Sequence, residues 1–97
     1  MSGYPERHAD VGRLVDLGTV TLTVAPVAVA PSSRPVIAIA IQNTEAQGNT
    51  VLVGDAIRQS MQVTGGNTYT VRAADAGQVY MRSNAGTVVV AVHILEP

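Results

Sequence analysis

The stretch Val36-Ile37-Ala38-Ile39-Ala40-Ile41-Gln42-Asn43 decides how this chain folds. Successive side chains point to opposite sides of a strand, so Ile37, Ile39 and Ile41 share one face while Val36, Ala38 and Ala40 share the other. Both faces are apolar, whereas a strand covering a small core alternates apolar with polar residues. The run is short and rich in β-branched residues. It lies between Pro35 and the polar cluster Asn43-Thr44-Glu45-Ala46-Gln47-Gly48-Asn49, which reads as a strand between turns. Residues 88–95 repeat the pattern: Val88, Val90, Val92 and Ile94 form one face, and Val89, Ala91, His93 and Leu95 the other. Two strands greasy on both sides exceed what one small sheet hides. Either they are central strands with a covering arm, or their second faces meet another subunit.

Working outward, the β signal continues. Residues 18–24 alternate Val20, Leu22 and Val24 with Thr19, Thr21 and Thr23. Pro26, Pro31 and Pro35 bracket a segment that reads as an edge or a long connection. Residues 49–55 form a short strand stopped by Gly54. Strands are then expected over 57–63, 67–73, 78–83 and 87–95, separated by the turns TGGN, ADAG and SNAG. Turn signals every eight to twelve residues predict an all-β fold: an antiparallel β-sandwich or jelly-roll-like barrel of seven to eight strands. No sequence repeat is present.

The first 17 residues differ. They carry five of the 13 charged residues, Glu6, Arg7, Asp10, Arg13 and Asp16, interleaved with Tyr4, Val11, Leu14, Val15 and Leu17. This segment, 1–17, is read as an N-terminal arm or a short helix preceding a sandwich domain over 18–97.

The chain's 97 residues suit one domain, and such a chain buries roughly two-thirds of its unfolded surface. There is no Trp or Phe and there are three Tyr, so the core must be aliphatic. The absence of Cys excludes a disulfide framework and a thiolate zinc site. Formal net charge is −1, and the six basic residues, all Arg, are scattered along the chain, which argues against a nucleic-acid partner. No apolar run reaches 18 residues, so no membrane span is expected. The polar start Met-Ser-Gly-Tyr-Pro-Glu lacks the apolar stretch of a secretory leader.

Chemistry is hard to find. His8 sits in the polar start and His93 on a strand among apolar neighbours; neither has a second ligand at metal-binding spacing. Glu45, Asp55 and Asp75 fall in turns, where an acid ordinarily caps its own backbone. No serine lies in a nucleophile elbow, and Gly65-Gly66 is not followed by the Gly-Lys-Ser/Thr and helix of a phosphate loop. No metal or catalytic residue is assigned, no cofactor is expected, and an enzyme is not the expected class.

The middle and end of the chain, read together, resemble the small β-rich virion proteins of tailed bacteriophages, particularly capsid decoration, or cement, proteins. The resemblance rests on a strand ending in Asn43, a short strand closing on Val53-Gly54 and the Gly-containing turn at Gly65. It continues through the Tyr80-Met81-Arg82-Ser83 strand and the short turn at Gly86 leading into the final Val-rich strand. It spans residues 36–95. It implies a jelly-roll-like sandwich, often trimeric, seated on the outside of a coat lattice and stabilising it, with the major capsid protein as partner. It thus implies a place at the capsid surface in the virion. On that picture Val36, Ala38, Ala40, Val89, Ala91 and His93 form the oligomer interface. Tyr4, Arg7, Val11, Arg13, Leu14 and Leu17 contact the capsid. The alternatives are a head-fibre or tail-associated structural protein, or another self-assembling β module.

Overall fold

The structure, a computed structural model, describes residues 12–97. Eight strands follow in chain order: β1 (Arg13–Leu22), β2 (Val27–Ala28), β3 (Ala38–Asn43), β4 (Val51–Gly54), β5 (Gln59–Val63), β6 (Thr68–Arg72), β7 (Tyr80–Ser83) and β8 (Val88–Glu96). One 3-10 turn, Ala76–Gln78, overlaps the end of the expected ADAG turn and takes in Gln78, with the Asp75 side chain accepting from the Gly77 N–H at its start. The strands form two antiparallel sheets in the orders β1-β8-β3-β6 and β2-β7-β4-β5. Every connection except the β4–β5 hairpin crosses from one sheet to the other, and the resulting strand order is the double Greek-key arrangement of a jelly roll. The fold is therefore the all-β sandwich that the turn spacing predicts.

The two doubly apolar runs occupy the two central positions of the first sheet. β8 lies between β1 and β3, and β3 between β8 and β6. Their inner faces are Ile39 and Ile41 from β3 with Val88, Val90, Val92 and Ile94 from β8, none more than 1% accessible. The opposing sheet contributes Val51 and Val53, Val63 and Met81, also buried. Each such side chain contributes about 1.5–3 kcal/mol through burial. Branched aliphatic residues meeting across the two sheets explain how a core forms without Phe or Trp.

Three boundaries differ from the sequence reading. First, residues 13–17, assigned to the arm, are strand: Arg13 to Asp16 pair with Glu96 to His93 of β8. The pairing is hard to see because the pattern is interrupted by a bulge between Asp16 and Gly18. There Gly18 takes a φ of 83°, which costs a glycine little, and its N–H donates to Asp16 Oδ1 at 2.7 Å. Leu17 shares the inward side of Val15 and packs against the core while partly buried; the extra residue then shifts the phase, so that Val20 and Leu22 point inward after it. Second, the strand at 36–41 begins only at Ala38. The chain bends at Ile37, whose N–H donates to the Leu95 carbonyl, and Val36 turns inward to 5% accessibility. Third, the strand expected over 57–63 begins at Gln59, because the four residues before it form a turn held by Asp55. Residues 26–35 are mostly connection, with the two-residue edge strand β2 at the start.

At the end of the sandwich where β3 finishes, Asn43 is fully buried and ties three segments together. Its Nδ2 donates to the carbonyls of Asn49 and Val63, at 2.9 and 3.0 Å, and its Oδ1 accepts from the Glu45 N–H at 3.1 Å. Its own backbone exchanges hydrogen bonds with Asn67 and Gly66. At the opposite end, Gly12 precedes β1 close to Glu96, and the connections 29–37, 55–58 and 73–79 gather.

Candidate interaction face

The outer face of the β1-β8-β3-β6 sheet follows from the pairing register. Four rows cross it: Leu14, Leu95, Ala38 and Arg72; then Asp16, His93, Ala40 and Thr70; then Thr19, Ala91, Gln42 and Thr68; then Thr21 and Val89. The two central strands contribute Leu95, His93, Ala91 and Val89 with Ala38, Ala40 and Gln42. Small side chains there leave the backbone close to the surface, so a second layer can approach closely. Threonines line both flanking strands, where a β-branched residue keeps the sheet without adding charge. The ionisable members are Asp16, His93 and Arg72. His93 Nε2 stands 3.5 Å from Asp16 Oδ2, so a protonated His93 and Asp16 form an ion pair at the middle of the face. Leu14, at one corner, is 70% exposed.

Five of the six residues expected at an oligomer interface, Ala38, Ala40, Val89, Ala91 and His93, thus lie together on this face, each half-buried. Val36 does not: it belongs to the core, because the bend at Ile37 reverses the alternation on which its assignment rested. Of the residues expected to touch a capsid, Tyr4, Arg7 and Val11 lie outside the described residues. Arg13 is exposed and bound to Glu96, Leu14 is exposed on the sheet face, and Leu17 packs against the core. Arg13 and Leu14 therefore belong to the sandwich rather than to a separate arm.

The acids serve the backbone and the arginines. Asp55 accepts from the Ile57 and Arg58 N–H groups, and these bonds, that of Arg58 foremost, hold its carboxyl below the usual carboxylate range. Asp75 is lowered likewise, first by the Arg34 N–H, then by the Ser33 hydroxyl and the Gly77 N–H. It thereby clamps the 31–35 connection to the 3-10 turn. Glu96 is lowered by Arg13 at 2.8 Å and Arg34 at 3.0 Å. Glu45 Oε2 accepts from the Val89 N–H. Among the described residues, no three of His, Cys, Asp and Glu stand close enough to share a metal ion, and no ligand-sized cavity opens. His8 lies outside them. Among the described residues, no helix is long and apolar enough to cross a membrane.

Sequence reasoning missed the second exposed apolar feature. Val24, Ala25, Pro26 and Val27, in the connection from β1 to β2, are four consecutive exposed apolar residues. Val24 is 53% and Val27 42% accessible. The alternation of residues 18–24 points Val24 to the same side as Leu22, which suggests burial. β1 ends at Leu22, however, and the chain leaves the sheet before Val24 can follow it inward.

No protein-family model matches the chain, and no curated protein matches it. Among solved structures, it is similar to a cupin superfamily protein from Desulfitobacterium hafniense, with a TM-score of 0.54 and 7% identity, over 88% of this chain and 79% of that one. At that identity the likeness is one of fold, and it agrees with the strand order of a jelly roll.

Proposed function

We propose that this chain is a structural virion protein: a self-associating jelly roll that binds the outside of a phage capsid lattice and stabilises it. The observation that carries the reading is the outer face of the β1-β8-β3-β6 sheet. Its central strands expose Ala38, Ala40, Val89, Ala91 and Leu95, and three ionisable residues interrupt it. A contiguous low-charge sheet face of this kind marks an association surface. Burying it between copies, three in the expected assembly, accounts for strands that are apolar on both sides. The turns and acids are spent on holding loops, as suits a rigid structural module. The resemblance of residues 36–95 to decoration proteins supplies the coat lattice as the partner. Fold alone does not, since jelly rolls serve many functions.

The proposed attachment uses one end of the sandwich. Segment 1–11 joins the sandwich at Gly12, beside Arg13, Glu96 and Arg34, so lattice contacts made by Tyr4, Arg7 and Val11 would place this end toward the coat. Any backbone that binding fixes costs about 1–2 kcal/mol of entropy per residue. Single copies therefore bind weakly, and several linked copies bind much better through effective concentration. The test is cosedimentation of the purified protein with assembled phage heads that lack it, together with the melting temperature of those heads. Saturable binding and a raised melting temperature are expected. Protein that stays in the supernatant at every ratio tried, with heads that melt unchanged, overturns the proposal.

A further inference from the structure

Among the described residues, beside Ile57 and Met61, two contiguous apolar surfaces lie open: the sheet face and the run Val24 to Val27. The sheet face spans four strands in three rows and two strands in a fourth. With strands about 4.8 Å apart and rows about 6.7 Å apart its projected area is about 450 Å². A stable specific interface buries roughly 800 Å² on each partner, so this face alone is small for one, whatever covers it. Two copies packed face to face would bury this face alone and leave the run Val24 to Val27 in water, whereas a chain that uses both surfaces buries more in total. Four consecutive exposed apolar residues without a function are a defect in a sequence. This run lies at the β1–β2 flank of the sandwich, away from the centre of the face, and Thr23 to Val29 contains no charged residue. The face around Ala40 and Ala91 is likewise uncharged except for Asp16 and His93, which neutralise each other when His93 is protonated.

We infer that the occupant of the sheet face is the β1–β2 flank of a second copy: Val24, Pro26 and Val27 of one chain dock on Ala38, Ala40 and Ala91 of the next. The inference rests on the self-association proposed above and names its two halves. Contact between two different patches is heterologous, so each copy offers one patch to each neighbour; where the rotation between neighbours closes, as in the trimer expected above, the set is a ring. Such a ring buries both surfaces of every chain, which a face-to-face pair cannot. Pro26 suits the role, since a flank that lacks one N–H and is locked at its φ docks without pairing strand edges.

The test uses the full chain and two variants, Ala40→Asp on the face and Val24→Asp on the flank, with native mass measured by light scattering at tens of micromolar. Each variant's folding is checked by urea unfolding, and Ala91→Arg replaces Ala40→Asp if that variant fails. The wild-type chain should be a closed oligomer, a trimer by the reading above, and each variant alone should be a monomer. An equimolar mixture should regain a species of two chains, because the intact flank of Ala40→Asp still fits the intact face of Val24→Asp. If Val24→Asp keeps the wild-type mass, or if the mixture yields no heterodimer, the face-to-flank contact is wrong while self-association stands. A wild-type monomer would remove both, and head binding would then be judged by cosedimentation alone.

Discussion

Replacing Asn43 by Ala should remove a large part of the stability of this domain, although the residue is one polar side chain near a loop. Asn43 is wholly buried, with two donor contacts at 2.9 and 3.0 Å and one acceptor contact at 3.1 Å. An intramolecular hydrogen bond contributes about 1 kcal/mol net, so three give about 3 kcal/mol. The Val63 carbonyl loses its side-chain donor in a buried setting, and an orphaned group of that kind adds about 1–3 kcal/mol. A loss of about 4–6 kcal/mol is therefore expected, against a total of roughly 5–15 kcal/mol. For a domain of this size the smaller figure corresponds to a drop in Tm of about 16–32 °C. Equilibrium urea unfolding measures it, at fixed protein concentration because association also stabilises. Asn43→Asp sharpens the test. It keeps the shape but turns an oxygen toward the two carbonyls, so burial and those dipoles raise its folded pKa above the unfolded value. The variant should be weakest at neutral pH and should regain stability as pH falls through the raised folded pKa, until the unfolded carboxyl also protonates. An Asn43→Ala loss below about 1 kcal/mol, or a neutral-pH Asn43→Asp chain as stable as wild type, would refute the hub role.

Other outcomes follow from the same structure. Ile39→Ala, at a site with no accessible surface, should cost about 2–5 kcal/mol by urea unfolding; Ile57→Ser, at a site 91% exposed, should stay within about 0.5 kcal/mol. Gly54→Ala should destabilise the β4–β5 hairpin measurably, since a Cβ there would overlap the Arg58 carbonyl oxygen, which is backbone and cannot swing away. Asp75, Glu96 and Asp55 are held below the usual carboxylate range in the folded chain. Their contribution is therefore present above the unfolded carboxylate pKa of about 4 and is lost as pH falls through the folded values. Urea midpoints should fall on acidification below that point, and more shallowly in Asp75→Asn, whose position no longer titrates. Deleting residues 1–11 should leave a folded sandwich by circular dichroism, whereas deletion through residue 17 removes half of β1 and should lower the urea midpoint sharply.

How far the sequence revealed this structure depends on whether a signal was local. The jelly-roll class was legible because turn residues and strand patterns are local: each strand from β3 to β8 overlaps a run read directly from residue types. The doubled apolar faces of residues 36–41 and 88–95 correctly marked the central strands. The side carrying Ile39, Ile41 and the valines at even positions became the core, because large branched residues fill the space between sheets while alanines suit an outer layer. What failed was non-local. Val36 was placed on the outer face by strict alternation, but alternation holds only while the backbone stays extended, and it bends at Ile37. Residues 13–17 looked like an arm because a bulge shifts the phase between Leu17 and Val20 and because their partner, residues 93–96, lies some eighty positions away. Asn43 looked like an ordinary turn residue, since nothing in a sequence tells an asparagine facing water from one whose amide spans two buried carbonyls. Val24 had the opposite fate, apolar and in phase with Leu22 yet exposed, because the strand that would have carried it inward ends two residues earlier. The face and the flank proposed to meet each other illustrate both conditions. The face could be read because it repeats along regular strands; the flank could not, because its exposure depends on where a strand stops.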